Sequence, residues 1–115
     1  MKNILIILND PSYGTERSYN GLRLAKALSN KDAHVTVFLL ADAVACAKRG
    51  QKVPQGYYNM ELMLKSIIRN GEVLCCGTCM DARGITDDEI LEGAERSTMP
   101  VLSEHTLNAD KVLVF

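Results

Sequence analysis

Lys2-Asn3-Ile4-Leu5-Ile6-Ile7-Leu8, followed at once by Asn9-Asp10-Pro11-Ser12, is the stretch from which the fold can be read. Five consecutive apolar residues, three of them β-branched, stop at a cluster of turn formers. Such a run does not alternate, so it suits a strand covered on both faces, as in a parallel sheet.

The rest of the chain repeats the theme. Leu22, Leu24, Ala25 and Leu28 recur at helical spacing, with Thr15 as the expected N-cap and Glu16 in the first turn. Val35 to Leu40 is a second apolar run, and Ala41 to Lys48 reads as a short helix with Asp42 at its start. Gly50, Pro54 and Gly56 mark 50–58 as a mobile loop. Asn59 is the expected cap of a helix through Ile68, ended by Asn70-Gly71, and Glu72 to Cys75 is a third strand. Thr86-Asp87-Asp88-Glu89 has the form of a capping box before a short helix through about Leu91. Gly93 to Ser97 reads as a fourth strand, Met99 to Leu107 as a helix with Pro100 in its first turn, and Lys111 to Phe115 as a last strand. That strand needs a neighbour and is expected to pair inside the sheet. Alternation of strands and helices with continuous apolar strands predicts a single α/β domain over 1–115: a parallel sheet with helices on both faces.

Composition narrows the function. A chain of 115 residues can bury a core without disulfide or metal staples. The formal net charge of -1 gives no electrostatic basis for binding nucleic acid or acidic membranes. Lys48-Arg49 with Lys52 is a short basic patch whose plain reading is a solvated loop. No run approaches the roughly 18 apolar residues of a membrane helix, and the N-terminal apolar run is too short for a signal peptide. These features predict a cytoplasmic protein, where thiols stay reduced. The four cysteines are then free thiols, metal ligands or catalysts.

Ligands of open parallel sheets bind beyond the C-terminal ends of the strands. Asn9 to Gly14, Ala41-Asp42 and Cys75 to Arg83 are the loops expected to share that edge. None carries a dinucleotide or Walker pattern, and no cofactor is implied. Tyr13 and Gly14 either line a pocket or form a tight turn that starts the helix. Cys75, Cys76 and Cys79 fall close together, and strand alternation points Cys75 and Cys76 to opposite sides. A thiolate at the strand end would gain from the free N–H groups of the next helix, opened by Gly77 and Thr78, and from a nearby Arg83. That favours Cys76 as a nucleophile. Cys46 and Cys75 read first as buried space fillers. Cys76-x-x-Cys79 suits a redox pair or half a zinc site, but His34 and His105 are the only histidines and are not spaced as ligands, so no metal is assigned. Asp42, Glu16 and Asp81 show no evident partner, and His105 reads as a surface or satisfied core residue.

Several stretches together resemble the DsrE/DsrF-like family, in its YchN-like branch. They are Tyr13-Gly14-Thr15-Glu16, Asn20 to Ala25, Asp42-Ala43-Val44, Arg49-Gly50-Gln51-Lys52, Cys76-Gly77-Thr78-Cys79 leading to Arg83-Gly84-Ile85, Thr106-Leu107, and Ala109 to Leu113. The resemblance implies a three-layer α/β/α domain with a five-stranded parallel sheet. It implies a homo-oligomer, a hexamer built from two trimers. It also implies a sulfur carrier, in which one cysteine holds sulfur as a persulfide and exchanges it with donor and acceptor proteins. The acting cysteine of the relay branch stands eight residues before the glycine of an Arg-Gly pair, which here is Cys76 before Gly84. Cys79 has a counterpart in the YchN-like branch. Three activities remain open at this point: a persulfide carrier on Cys76, a dithiol redox protein using Cys76 and Cys79, and a non-catalytic oligomer whose cysteines line a small-molecule pocket.

Overall fold

The computed structural model describes residues 1–115. The elements are β1 (Lys2–Leu8), α1 (Arg17–Ser29), β2 (Ala33–Leu39), a 3-10 helix (Ala41–Ala47), α2 (Met60–Ile68), β3 (Glu72–Cys76), α3 (Gly77–Ala82), a 3-10 turn (Asp87–Glu89), β4 (Ala94–Ser97), α4 (Met99–Asn108) and β5 (Lys111–Val114). The five strands form one sheet in the order β4-β3-β2-β1-β5, and every pairing is parallel. The layers are α/β/α, as the apolar strands imply. Ile4, Leu5, Ile6 and Leu8 are all buried in β1, so side chains on both faces meet helices and no alternation develops.

The two faces are covered unequally. Helices α1 and α2 pack on one face, where Leu22, Ala25, Leu64 and Ile67 are buried. Helix α4 lies on the other, where it meets Leu5, Thr36 and Glu72. The return crossover from β4 to β5 runs against the direction of the earlier ones, which moves its helix to the opposite face.

Several local expectations are corrected. Leu24, counted in the apolar stripe of α1, is 37% exposed, because two residues of helical rotation carry it away from Leu22. Thr15 is not the N-cap. The cap position falls to Glu16, while the Thr15 hydroxyl donates to Asp10 Oδ2 at 2.6 Å and accepts from the Arg17 amide at 3.3 Å. The helix expected through Leu91 is a single 3-10 turn, although Glu89 Oε1 does accept from the Thr86 amide at 2.9 Å. Strand β5 pairs only with β1 and forms an edge, not an interior strand, leaving Val114 64% exposed.

The segment 50–58 is irregular as expected but tied down. The buried Glu61 carboxylate accepts from the amides of Gly50 and Gln51 at 3.1 and 2.8 Å. At the far end Tyr58 stacks between Tyr13 and Tyr19, with ring centroids 4.3 and 4.1 Å away. A side chain that satisfies two amides and an aromatic stack remove most of the freedom that the glycines and proline suggest.

Gly71 shows how tightly α2 is fitted to the sheet. A Cβ there would lie 2.1 Å from the carbonyl oxygen of Val35, and backbone cannot swing aside as a side chain could. Gly71→Ala is expected to destabilise the fold by roughly 1–3 kcal/mol, the usual cost of overpacking. Urea denaturation with an unchanged slope checks this; a midpoint equal to wild type would show that the α2–β3 turn is loose.

Candidate functional site

The C-terminal ends of β1, β2 and β3 lie level with one another because Leu8 pairs with Leu39 and Leu39 with Cys75. Cys76 is the last residue of β3 and occupies the N-cap position of α3. Its sulfur accepts the backbone N–H of Cys79 at 3.4 Å, so one donor of the new helix is spent on the thiol. Cys79 is half-buried, and its sulfur accepts the N–H of Ala41 at 3.2 Å. Ala41 sits at φ 50, in the left-handed region that non-glycine residues avoid. The turn after β2 is thus bent to aim an amide at a cysteine of the neighbouring loop.

Burial pushes the Cys79 thiol up, and its hydrogen bond to the Cys76 sulfur adds to this; the Ala41 amide and the Arg83 charge only partly offset them. Cys79 is thereby favoured in its protonated form. Arg83 acts on this site from the flank. Its Nε donates to Asp42 Oδ1 at 2.8 Å and its guanidinium to the Cys79 carbonyl at 3.0 Å. The expected aid of Arg83 to a thiolate reaches Cys79, and the Asp42 carboxylate has the partner that sequence inspection could not supply.

Arg96 was not singled out in the sequence. From β4 it donates to Asp87 Oδ1 at 2.6 Å, Asp81 Oδ1 at 2.9 Å and the Gly77 carbonyl at 3.1 Å. The two carboxylates raise its already high basicity. A Cβ on Gly77 would fall 2.7 Å from the Arg96 guanidinium and 3.2 Å from the Ser97 carbonyl. Glycine at 77 lets α3 press against β4, and Arg96 clamps it there. No sequence signal marks this, because Asp81 and Asp87 lie on different turns and Arg96 sits in a short polar strand.

The remaining expected residues part company. Thr78 is exposed on α3. Tyr13 and Gly14 do not join the cysteines. The Tyr13 amide donates to the Tyr58 hydroxyl at 2.9 Å, the Tyr13 hydroxyl donates to the Tyr58 carbonyl, and Gly14 lies against the Pro11 ring. Tyr13 lines a separate cleft with Lys52, Val53, Pro54 and Tyr57. Cys46 and Cys75 are fully buried. The Cys46 thiol contacts the Asp10 carbonyl at 3.7 Å and the Ser12 hydroxyl at 3.8 Å, and burial raises it.

Fold and site together define a small α/β protein with a cysteine pair at the carboxyl edge of a parallel sheet. Residues 2–115 match the DsrE/DsrF-like family, and the chain belongs to it. It is 42% identical over 118 residues to Protein YchN of Escherichia coli strain K12, covering 100% of both chains. It is 33% identical over 112 residues to the uncharacterized protein MK0008 of Methanopyrus kandleri, covering 97% of this chain and 93% of that one. The crystal structure of E. coli ychN protein superposes with a TM-score of 0.94 over 100% of both chains, at 42% identity. Protein MTH1491 of Methanobacterium thermoautotrophicum shares the fold, with a TM-score of 0.70 at 12% identity over 96% of this chain and 97% of that one. The resemblance seen in the sequence thus holds over the full length, in its YchN-like branch.

Burial pushes the Cys75 thiol from its ordinary 9.0 up to about 12. Below pH 9.0 the folded and unfolded chains both keep this proton. Above it the unfolded chain ionises first, so stability falls as pH climbs toward about 12. Urea midpoints across this window should drop less steeply in Cys75→Ala than in wild type; parallel curves would mean that Cys75 ionises freely in the folded protein.

Proposed function

We propose that this protein is a cytoplasmic sulfur carrier that holds sulfane sulfur as a persulfide on Cys76. One observation carries the reading: the Cys76 sulfur accepts the Cys79 N–H at the head of α3. A sulfur placed to accept hydrogen bonds is favoured as thiolate, and the thiolate is the nucleophile. Membership of a family associated with sulfur relay supports the same reading.

In the loading step the Cys76 thiolate attacks the outer sulfur of a donor persulfide, R–S–SH. A bond forms between the Cys76 sulfur and that outer sulfur as the donor's S–S bond breaks. The donor leaves as R–S⁻ and takes up a proton. The sulfane sulfur is passed on without net oxidation, so no outside oxidant enters. Delivery to an acceptor protein thiol is the same exchange in the reverse sense. Arg83 and Asp42 position the Cys79 turn, and Arg96 holds α3 against β4.

The nearness of the two cysteines, tied by the Cys79 N–H to the Cys76 sulfur, favours one second reading. Cys79 could attack the inner sulfur of the persulfide, expelling HS⁻ and closing a Cys76–Cys79 disulfide. Such a protein would need a dithiol reductant to reopen the bond.

Intact mass after incubation of reduced protein with a persulfide donor separates the readings. Wild type and Cys79→Ser should gain one sulfur, mapped by alkylation to residue 76, and Cys76→Ser should gain none. A disulfide with no retained sulfur would replace the carrier by the dithiol reading, and inert thiols would leave a binding protein.

The carrier is further proposed to act as a homohexamer of two trimers. Support comes from the thinly covered face beside α4 and β5, where Val112, Val114 and Leu107 are exposed. Light scattering after gel filtration should give six times the 12.7 kDa chain mass; a monomer would sink the assembly without touching the thiol chemistry.

A further inference from the structure

Arg96 commits its whole guanidinium to α3 and the turn that follows it. β4 pairs with β3 so that Arg96 lies beside Cys75, and Ser97 beside Cys76. From there Nη1 donates to the Gly77 carbonyl at 3.1 Å, Nη2 to Asp81 Oδ1 at 2.9 Å and Nε to Asp87 Oδ1 at 2.6 Å. One side chain thus reaches the first residue of α3, its last turn and the 3-10 turn beyond it. α3 has six residues, fewer than two turns. So short a helix does not persist in water by itself. It also opens on glycine, which adds backbone freedom at its first position. Its start must be held from outside.

Cys76 depends on what is held there. Its sulfur accepts the N–H of Cys79, the third residue of α3. That N–H is in place only while the first turn is formed. The Gly77 carbonyl belongs to the peptide plane directly before the plane that carries the Cys79 N–H. A bond from Arg96 to this carbonyl therefore fixes the donor's neighbour, and the bonds to Asp81 and Asp87 fix Arg96 in turn. A Cβ at position 77 would fall 2.7 Å from Nη1 and 3.0 Å from Cγ of Arg96, so the approach is open only because the residue is glycine.

The charge of Arg96 does not account for a favoured thiolate. Two carboxylates lie within 2.9 Å of it, so the three groups together carry a net negative charge. Such a trio opposes an anion at Cys76. What Arg96 contributes to the thiol comes through geometry. We propose that Arg96 is a positioning residue for Cys76, holding the first turn of α3 through the Gly77 carbonyl and so keeping the Cys79 N–H aimed at the sulfur. This role presumes the nucleophilic Cys76 of the carrier reading, but a simple alkylating agent probes it without any persulfide.

The test follows iodoacetamide alkylation of Cys76 across pH in the full chain, mapped by peptide mass. Arg96→Met keeps the side-chain stem and removes all three bonds. Its alkylation profile is expected to move up by about one pH unit, roughly tenfold slower reaction at neutral pH, as one lost hydrogen bond implies. Arg96→Lys should recover part of that shift. Asp87→Ala separates geometry from charge. Loss of a carboxylate alone would move the profile down, whereas loosening Arg96 moves it up, which is the result expected. An unmoved profile in Arg96→Met, or a downward move in Asp87→Ala, overturns the proposal. If Arg96→Met fails to fold, Arg96→Lys and Asp87→Ala carry the test. A shifted profile without sulfur uptake from a persulfide donor would sink the carrier reading and leave the role of Arg96 standing. Sulfur uptake with an unmoved profile would do the reverse, and a wild-type Cys76 inert at every pH overturns both.

Discussion

The ladder between β1 and β2 runs without a break from Lys2↔Ala33 to Leu8↔Leu39, and the placement of everything else follows from it. In a parallel sheet the register of one pair fixes the level at which each strand ends. β3 is hung on β2 from Thr36↔Glu72 to Leu39↔Cys75. The turns after β2 and β3 therefore emerge side by side, which is what allows Ala41 to offer its amide to Cys79. A slip of one residue would reverse the faces of β3. Cys75 would then face α4 and Cys76 the core beneath α1 and α2.

This alternation separates the cysteines chemically. Cys75 faces the apolar layer under α1 and α2, where an ion is costly and the thiol stays protonated. Cys76, one residue on, points the other way and meets an N–H group at the head of α3. Adjacent residues of one type are thereby given different surroundings by the pleat alone. The cost of the arrangement falls on its neighbours: a left-handed Ala41, a glycine at 77, and an arginine committed to two carboxylates. Strain and fixed charges of this kind collect where the surrounding structure must hold a group in place.

How much could be read in advance follows from how far apart the cooperating residues lie. The strands were legible because an apolar run such as Ile4 to Leu8 reports burial by itself. Cys76 was legible because strand end, helix start and Cys79 fall within four residues of one another. The Asn59 cap and the Thr86–Glu89 bond were legible for the same local reason. Thr15 failed as a cap because Asp10, on the preceding loop, competes for its hydroxyl. Tyr13 lines a cleft, as one of its two readings had it, but its partner Tyr58 lies across a long irregular segment, which no local pattern announces. Arg96 and the His105–Glu72 contact lay out of reach, since only the sheet order brings β4 to α3 and α4 to β3.

β3 runs from one edge of the sheet to the other, with Glu72 as its first residue and Cys76 as its last. At about 3.3 Å per residue they stand some 13 Å apart, beyond the roughly 8 Å over which exposed charges act at physiological salt. The Glu72 carboxylate is too distant to tune the thiol through space, and the buried pair Leu74 and Cys75 between them offers no chain of polar groups. The apolar layer that binds the strands also insulates one edge of the sheet from the other. The acidic residues that would spoil a thiolate are kept at the amino edge, while the carboxylates near the cysteines, Asp42, Asp81 and Asp87, are each taken up by an arginine.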